Sequence, residues 1–530
     1  MPLTSSSRQS IKQGGRQGKA AARRGGKSSA ATPLSRSLAA NAHAIRTLLG
    51  ESSDVQLRLF RSGASPDTEM AIIYIEAIVS SSDLNEMVIE KVMGAPAADP
   101  PLPLPELLEW LGSRVVSASV ISMESTLEGT LERLLSGSCI LLAEGVPQVL
   151  AAAIGGGDER PVGEPSTQTV IRGPQNSFNE NLMTNVGLIR KMIRSERLRL
   201  EIRRIGRQTN TAVGMMYMDG IANESIVEEL RRRLETIDLD SVLDSGYVEE
   251  FIQDATFTPF PTLMNTERPD EVAGGLLEGQ VVVLVDGSPF VLLAPVTFFR
   301  FFQSPEDYYQ RFDIATFLRL IRIVAFIVSM HLPALYIAIT TYHQEMLPTT
   351  LLISLAAQRE GVPFPAIVEA FLMELTFEVL REAGVRLPRA VGPAISIVGA
   401  LVLGQAAVQA GLVSAAMVIV VAFTAISNFV SPQVNIAIAA RLIRFLLMLA
   451  AGIFGFLGIM ACDLLLIVHL SGLRSFGVPY TSPFSPFKWT SWKDTFVRAP
   501  WWLMGRRPAG GDTGDSMRQT DTSQPPHQQE

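Results

Sequence analysis

Polar and apolar positions alternate at short range through the first part of the chain, and the apolar runs lengthen abruptly near Thr316. In the first part those runs have strand length. Val55–Phe60, Met70–Val79, Cys139–Ala143 and Val149–Ile154 read as strands, the last two separated by the turn-forming Glu144-Gly145-Val146-Pro147. Between them, Ser82–Val92 (capped by Ser81 or Ser82), Leu107–Val115 and Thr126–Leu135 carry helical spacing. A Gly-rich break, Gly155-Gly156-Gly157-Asp158, precedes a second unit of the same kind. There Asn181–Arg197 and Glu224–Ile237 read as helices, with Asn223 placed to cap the latter, and Leu198–Ile205 and Ala212–Met218 read as strands. Gln280–Val285 and Phe290–Ala294 flank Asp286-Gly287-Ser288-Pro289, a hairpin turn.

Charge then thins out. No Asp, Glu, Lys or Arg occurs from Ile323 to Gln344, or from Val391 to Ala440, whereas a soluble helix needs a wet face. Thr316–Thr341 is long enough to cross a hydrocarbon core, and Arg311, Arg319 and Arg322 place its start in the cytosol. Pro333 reads as a kink relieved by neighbouring helices. Met346–Gln358 is short for a span and suits a re-entrant or interfacial helix. Ala366–Glu382 sets Glu374, Glu378 and Glu382 on one face, which predicts a helix lying on the membrane surface or against a subunit. Val391–Ala410, Leu412–Val430 and Leu446–Leu470 read as further spans, with Gly411 in a tight turn and Arg441 and Arg444 on the outer side. The preferred count is four, or five if the short helix crosses.

The expected fold is thus α+β/α multi-domain. Two α/β cytosolic subdomains, 41–160 and 161–312, precede a helical transmembrane domain of four to five spans, 313–473. A disordered basic tail, 1–40, and a cytosolic, largely disordered tail, 474–530, flank them.

The net charge of −7 identifies no partner, but its distribution is informative. Before Glu51 there are nine basic residues and no acid. Such a segment reads as a solvated tail, or as an electrostatic tether to anionic membrane lipid. No aromatic residues interleave the charges, so nucleic acid is not the expected partner. No apolar core follows them within the first forty residues, which predicts no cleavable signal and a cytosolic N-terminal half. The two cysteines, Cys139 and Cys462, fall in a strand and a membrane helix, which argues against a disulfide framework. No phosphate loop, nucleophile elbow or zinc spacing is visible, so neither catalytic residues, nor a metal, nor a cofactor is expected. The remaining chemistry lies in the membrane half. Ser396, Gln405 and Gln409 give Val391–Ala410 a weakly polar character, and Val408 lies beside them. An intramembrane amide must face protein or water, so this helix is the candidate lining of an aqueous path. Glu374, Glu378 and Asp463 are the candidate intramembrane or interfacial acids.

Several strings in order carry a family resemblance: Val285-Asp286-Gly287-Ser288-Pro289-Phe290; Ala294-Pro295-Val296-Thr297-Phe298-Phe299; Gln303-Ser304-Pro305-Glu306-Asp307-Tyr308-Tyr309; Arg359-Glu360-Gly361-Val362-Pro363-Phe364-Pro365; Glu374-Leu375-Thr376-Phe377-Glu378; and Arg474-Ser475-Phe476-Gly477-Val478-Pro479-Tyr480. Across roughly 130–487 the sequence resembles the A subunit of GerA-type spore germinant receptors. That resemblance implies an integral protein of the spore inner membrane, acting with a transporter-like B subunit and a C lipoprotein. It also implies a homo-oligomer, proposed to be a pentamer, that conducts ions on nutrient sensing. It places Asp286, Gly287, Ser288 and Pro289 at a candidate domain-coupling signature, beside the plainer reading of a turn. Two other roles stay open: a non-conducting signalling scaffold, and a paralogous subunit linked to dipicolinate release. The intact Asp286–Phe290 string favours the receptor subunit over the latter. A lone secondary transporter is disfavoured, because no repeat of spans is visible.

Overall fold

The computed structural model describes residues 32–96, 103–156, 163–165, 167–386, 402–487 and 489–507, with Asp515, Met517 and Arg518 near the end. Most of the expected basic tail, residues 1–31, lies outside them. The part of that tail which is described is not disordered. Leu34 N–H donates to the Ser125 carbonyl, Leu38 N–H donates to Glu144, and a helix follows at Leu38–Leu48.

The first lobe is a five-stranded sheet of β1 (Val55–Ser62), β2 (Ser65–Ile75), β3 (Ile121–Glu124), β4 (Ser138–Ala143) and β5 (Val149–Ala153). Its order is β1-β2-β4-β5-β3, antiparallel at every pairing. The second lobe contains β6 (Leu198–Ile205), β7 (Thr211–Met218), β8 (Met264–Thr266), β9 (Val281–Val285) and β10 (Val291–Ala294). Its order is β6-β7-β9-β10-β8, again antiparallel throughout. Counted from its own first strand, each sheet runs first, second, fourth, fifth, third. The two lobes therefore share one topology, a repeat that the sequence conceals.

Local chemistry accounts for the elements. β4 and β9 are buried along their whole length, as continuous apolar runs covered on both faces must be. Asn223 accepts from Ser225 N–H and caps the Glu224–Thr236 helix as expected. Ser80, not Ser81 or Ser82, caps the helical stretch that runs to Met93. Pro269 opens the Pro269–Leu277 helix, where its missing N–H costs nothing.

The lobes are fastened by a buried ion pair. Arg190 Nε donates to Asp54 Oδ2 at 2.5 Å and its Nη2 to Asp54 Oδ1 at 2.8 Å, with both side chains almost wholly excluded from solvent. Ser53 N–H also donates to the Leu200 carbonyl, which ties the loop before β1 to β6.

Beyond the second lobe the chain is helical. Phe312–Thr341 and Val434–Phe454 are long and apolar enough to cross a membrane, with mean hydropathies of 2.0 and 2.1. Ala415–Phe429 and Phe456–Gly472 are shorter apolar helices. Thr349–Arg359 and Ala366–Arg386 complete the described set, together with a helical stretch at 402–409. Most of the expected span Val391–Ala410, residues 391–401, lies outside the described residues. One expectation is corrected. Leu446–Leu470 is not a continuous helix: the chain breaks at Gly455, whose φ of +60° suits glycine, and the helix before it starts at Val434.

Within the tail expected to be largely disordered, 474–530, the stretch 474–480 packs on the second lobe. Arg474–Ser475 and Val478–Pro479 form a small hairpin. Ser475 Oγ donates to the Thr262 carbonyl at 2.7 Å, and the Tyr480 hydroxyl donates to the Pro261 carbonyl at 2.7 Å.

Candidate functional site

The helical region is apolar by sequence, yet its interior is crossed by charge. The Ala366–Arg386 helix supplies the acids. Glu369 is fully buried, and its Oε1 accepts from the Ser414 N–H and hydroxyl, both at 2.6 Å, at the start of the Ala415–Phe429 helix. One turn and a half later, Glu374 Oε2 accepts from Arg444 Nη1 at 2.6 Å. Arg444 Nε donates to the Ser329 carbonyl of the Phe312–Thr341 helix at 2.6 Å. A single guanidinium thus joins three helices. Glu378 pairs with Arg381 on its own helix and with Arg441 Nη1 at 3.3 Å on the Val434–Phe454 helix. Glu382 pairs with Arg386, four residues on, at an exposed position. The acid face expected at a surface therefore grades from buried to exposed along the helix. Arg441 and Arg444, expected on the outer side, are paired with these acids inside the helical bundle.

Asp463 also has a partner on another helix. His331 Nε2 lies 2.8 Å from Asp463 Oδ1, and His331 Nδ1 lies 3.0 Å from the Ile327 carbonyl. Both ring nitrogens face acceptors, so the ring donates to both only when each carries a proton. This contact joins the Phe312–Thr341 and Phe456–Gly472 helices.

Beneath the bundle lies a second charged layer. Asp307, buried, accepts from Arg319 Nε at 3.2 Å and from Arg322 Nη1 at 2.7 Å. Arg319 Nη1 also donates to the Asp494 carbonyl at 2.5 Å, and the Tyr308 hydroxyl to Asp494 Oδ2 at 2.9 Å. Burial pushes the Asp494 carboxyl above the usual carboxylate range, against the opposing pull of Arg319. On the other side of the junction, the loop between two apolar helices reaches the second lobe. Gln433 Nε2 lies 3.3 and 3.4 Å from the two oxygens of Glu271, on the Pro269–Leu277 helix, and its Oε1 accepts from Gln168 Nε2 at 3.0 Å. Burial raises the Glu271 carboxyl as well, with Arg300 pulling it down. A cavity of about 240 Å³ lies here, bordered by Gln168, Arg268, Glu271, Arg322 and Gln433.

The other residues singled out in the sequence fall into two groups. Asp286 Oδ1 accepts from Leu182 N–H at 3.0 Å, Gly287 N–H donates to the Glu180 carbonyl, and Ser288 Oγ donates to Asp244 Oδ1 at 2.5 Å. The Asp286–Pro289 turn thus knits two helix starts to the β9–β10 hairpin inside the second lobe. Described contacts between that lobe and the apolar helices include Glu271 with Gln433, Thr258 with His469, and Asp307 with Arg319 and Arg322. The Gln303–Tyr309 string, with Arg319 and Arg322, is the signal in the sequence for this layer. Of the candidate lining residues, Ser396 lies outside the described residues, Gln405 and Gln409 are exposed, and Val408 is half-buried. Among the described residues no group of three or more His, Cys, Asp or Glu side chains is placed to hold a metal ion.

Comparison with known proteins fits this architecture. A family model for the Bacillus/Clostridium GerA spore germination protein matches residues 43–510. Spore germination protein KA of Bacillus subtilis (strain 168) is 46% identical over 93% of this chain and 90% of its own length. The uncharacterized membrane protein YfkQ of the same organism is 42% identical over 92% of this chain and 93% of its own. The crystal structure of the N-terminal domain of the A subunit of the Bacillus megaterium spore germinant receptor GerK3 is 37% identical, covers 51% of this chain and 98% of that one, and superposes with a TM-score of 0.41. With a family match running from residue 43 to residue 510, and relatives similar along nine-tenths of both sequences, this chain belongs to the GerA spore germination protein family.

Proposed function

We propose that this chain is the A subunit of a nutrient germinant receptor in the inner membrane of a spore, and that copies of it surround an ion path that opens on nutrient sensing. In this reading the sheet lobes lie in the cytosol and the helical region crosses the membrane four or five times. The helix around 402–409 lines the path. B and C receptor subunits supply nutrient recognition, and this chain performs no catalytic step.

The observation that carries the conducting role is the exposure of Gln405 and Gln409. Four residues apart, they share one helical face. An amide turned toward lipid is costly, so that face meets either water or another copy of the chain. Val408, half-buried beside them, then narrows the path as an apolar constriction. The buried ion pairs support the same reading from the other side. They hold the bundle of each copy rigid, which leaves the amide face as the surface that can open.

The test is conductance across a planar bilayer, with the chain reconstituted beside its B and C partners and challenged with amino acids and sugars. Nutrient-triggered current that changes in Gln405→Ala, together with leak in Val408→Ala, supports the reading. If nutrient binds the complex and no current follows, the chain is a signalling scaffold for another effector.

A further inference from the structure

Four of the five tryptophans in the chain, Trp489, Trp492, Trp501 and Trp502, fall within one short segment. From 474 to 507 the basic residues are Arg474, Lys488, Lys493, Arg498, Arg506 and Arg507, against the single acid Asp494. Neither the expected domain plan nor the proposed function uses this concentration.

The structure puts the segment at one level of the molecule. Arg498 N–H donates to Thr316 Oγ1 at 3.1 Å, in the second turn of the Phe312–Thr341 helix. Asp494 is held by Arg319, one turn further on. The rings of Phe484, Trp492 and Phe496 pack on one another, and Phe484 and Phe496 also on Phe299, with centroids 4.8–5.4 Å apart. At this same level the helix turns apolar residues outward, with Phe317 64% and Leu320 45% exposed. The segment does likewise: Phe487 is 60%, Val497 52%, Leu503 51% and Trp501 44% exposed. Lys493 and Arg506 are exposed beside them.

We infer that residues 484–487 and 489–506 form a strap seated on lipid with anionic headgroups. Phe487, Val497, Trp501 and Leu503 enter the boundary between headgroups and acyl chains, and Lys493 and Arg506 face the phosphates. Tryptophan with scattered lysine and arginine is the composition that this boundary selects, because a ring has an apolar body with a polar edge and a cation stays among anionic headgroups. The strap exposes apolar side chains at the level where the helix it is pinned to exposes its own. Lipid can therefore cover both. The inference rests on the reading that Phe312–Thr341 crosses the membrane.

The experiment uses the full chain carrying Trp110→Phe, so that the tryptophans remaining are those of the strap. It is placed in phosphatidylcholine vesicles with or without phosphatidylglycerol, and emission is compared with and without acyl-brominated lipid. Bromine should lower emission about twofold, as expected for rings at the acyl boundary. Val497→Asp with Leu503→Asp should abolish most of that quenching. Lys493→Gln with Arg506→Gln, both at exposed positions that the fold does not need, should remove only its dependence on phosphatidylglycerol. Unquenched emission from a chain that resists carbonate extraction overturns the strap and leaves the membrane reading standing. Extraction by carbonate overturns both. Efficient Leu503→Cys cross-linking between two copies in the vesicles overturns lipid as the occupant.

Discussion

The Glu374–Arg444 pair allows a prediction with a worked magnitude. The two side chains are 0% and 1% exposed and meet at 2.6 Å. Deleting one partner strands the other's charge in a low-dielectric interior, which costs about 3–5 kcal/mol. Glu374→Leu should therefore lose that much stability. Arg444→Met should lose an amount nearer the lower end, because the Ser329 carbonyl it leaves is a helix acceptor that tolerates losing a second donor. The double substitution should recover most of the loss, for a specific reason. Glu374 Oε1 and Arg444 Nη2 have no hydrogen-bond partner among the described residues, so the pair is not fully compensated as it stands. An apolar replacement of similar volume gives up little beyond the pair itself. For a helical region of this size, the single variants should melt roughly 6–20 °C below the parent in detergent, and the double variant within about 5 °C of it. Thermal unfolding of all four proteins closes a double-mutant cycle and gives the coupling directly. If either single variant melts with the parent, or the double variant falls by the sum of the two, the buried pair does not exist as described and the three-helix junction is wrong.

Other perturbations probe the lobes. Asp54→Ala leaves the Arg190 guanidinium unpaired between the two sheets and should cost about 3–5 kcal/mol, read as a lowered denaturation midpoint. Ser288→Ala removes the 2.5 Å bond to Asp244 and should cost about 1.5–3 kcal/mol, with no change in conductance if the Asp286–Pro289 turn serves only the second lobe. The Glu249 carboxyl is pushed up to about 7 from 4.5 by burial, with Asp244 and Glu250 adding to it. The folded chain then holds a proton that the unfolded chain has released between those two values. Stability should fall as pH rises from 4.5 to about 7 and level off above, and Glu249→Gln should flatten that part of the profile in melts across the range.

How much of this was legible in the sequence depended on where the determining interaction lay. The β9–β10 hairpin could be read because its cause is local: an Asp-Gly turn between two apolar runs. Asn223 as a cap was legible for the same reason. Ile121–Glu124 and Met264–Thr266 were not, since one is half-buried throughout and the other spans three residues. Each is a strand only because the edge of β5 or β10 is there to pair with it. With those two strands missing, the shared topology of the lobes could not be seen either, although the remaining strands were in place.

The helical half shows the same limit in its sharpest form. A hydropathy window sees Arg441 and Arg444 as charges and so starts the last span after them. It sees nothing at Gly455 except one more small residue. The bundle reverses both judgments, because the acids that cancel those charges sit about seventy residues earlier, on a helix where Glu374, Glu378 and Glu382 looked like a surface stripe. Charge inside a membrane is tolerated in pairs, and a pair drawn from distant segments leaves no local signature. The reading that would have found it treats the surplus acids of one apolar helix and the surplus cations of another as a single neutral unit, and asks which packing brings them together. On that reading Glu374 with Arg444, and Glu378 with Arg441, are spaced four and three residues apart on their two helices. Each interval is close to one helical turn, so two facing helices can satisfy both pairs at once.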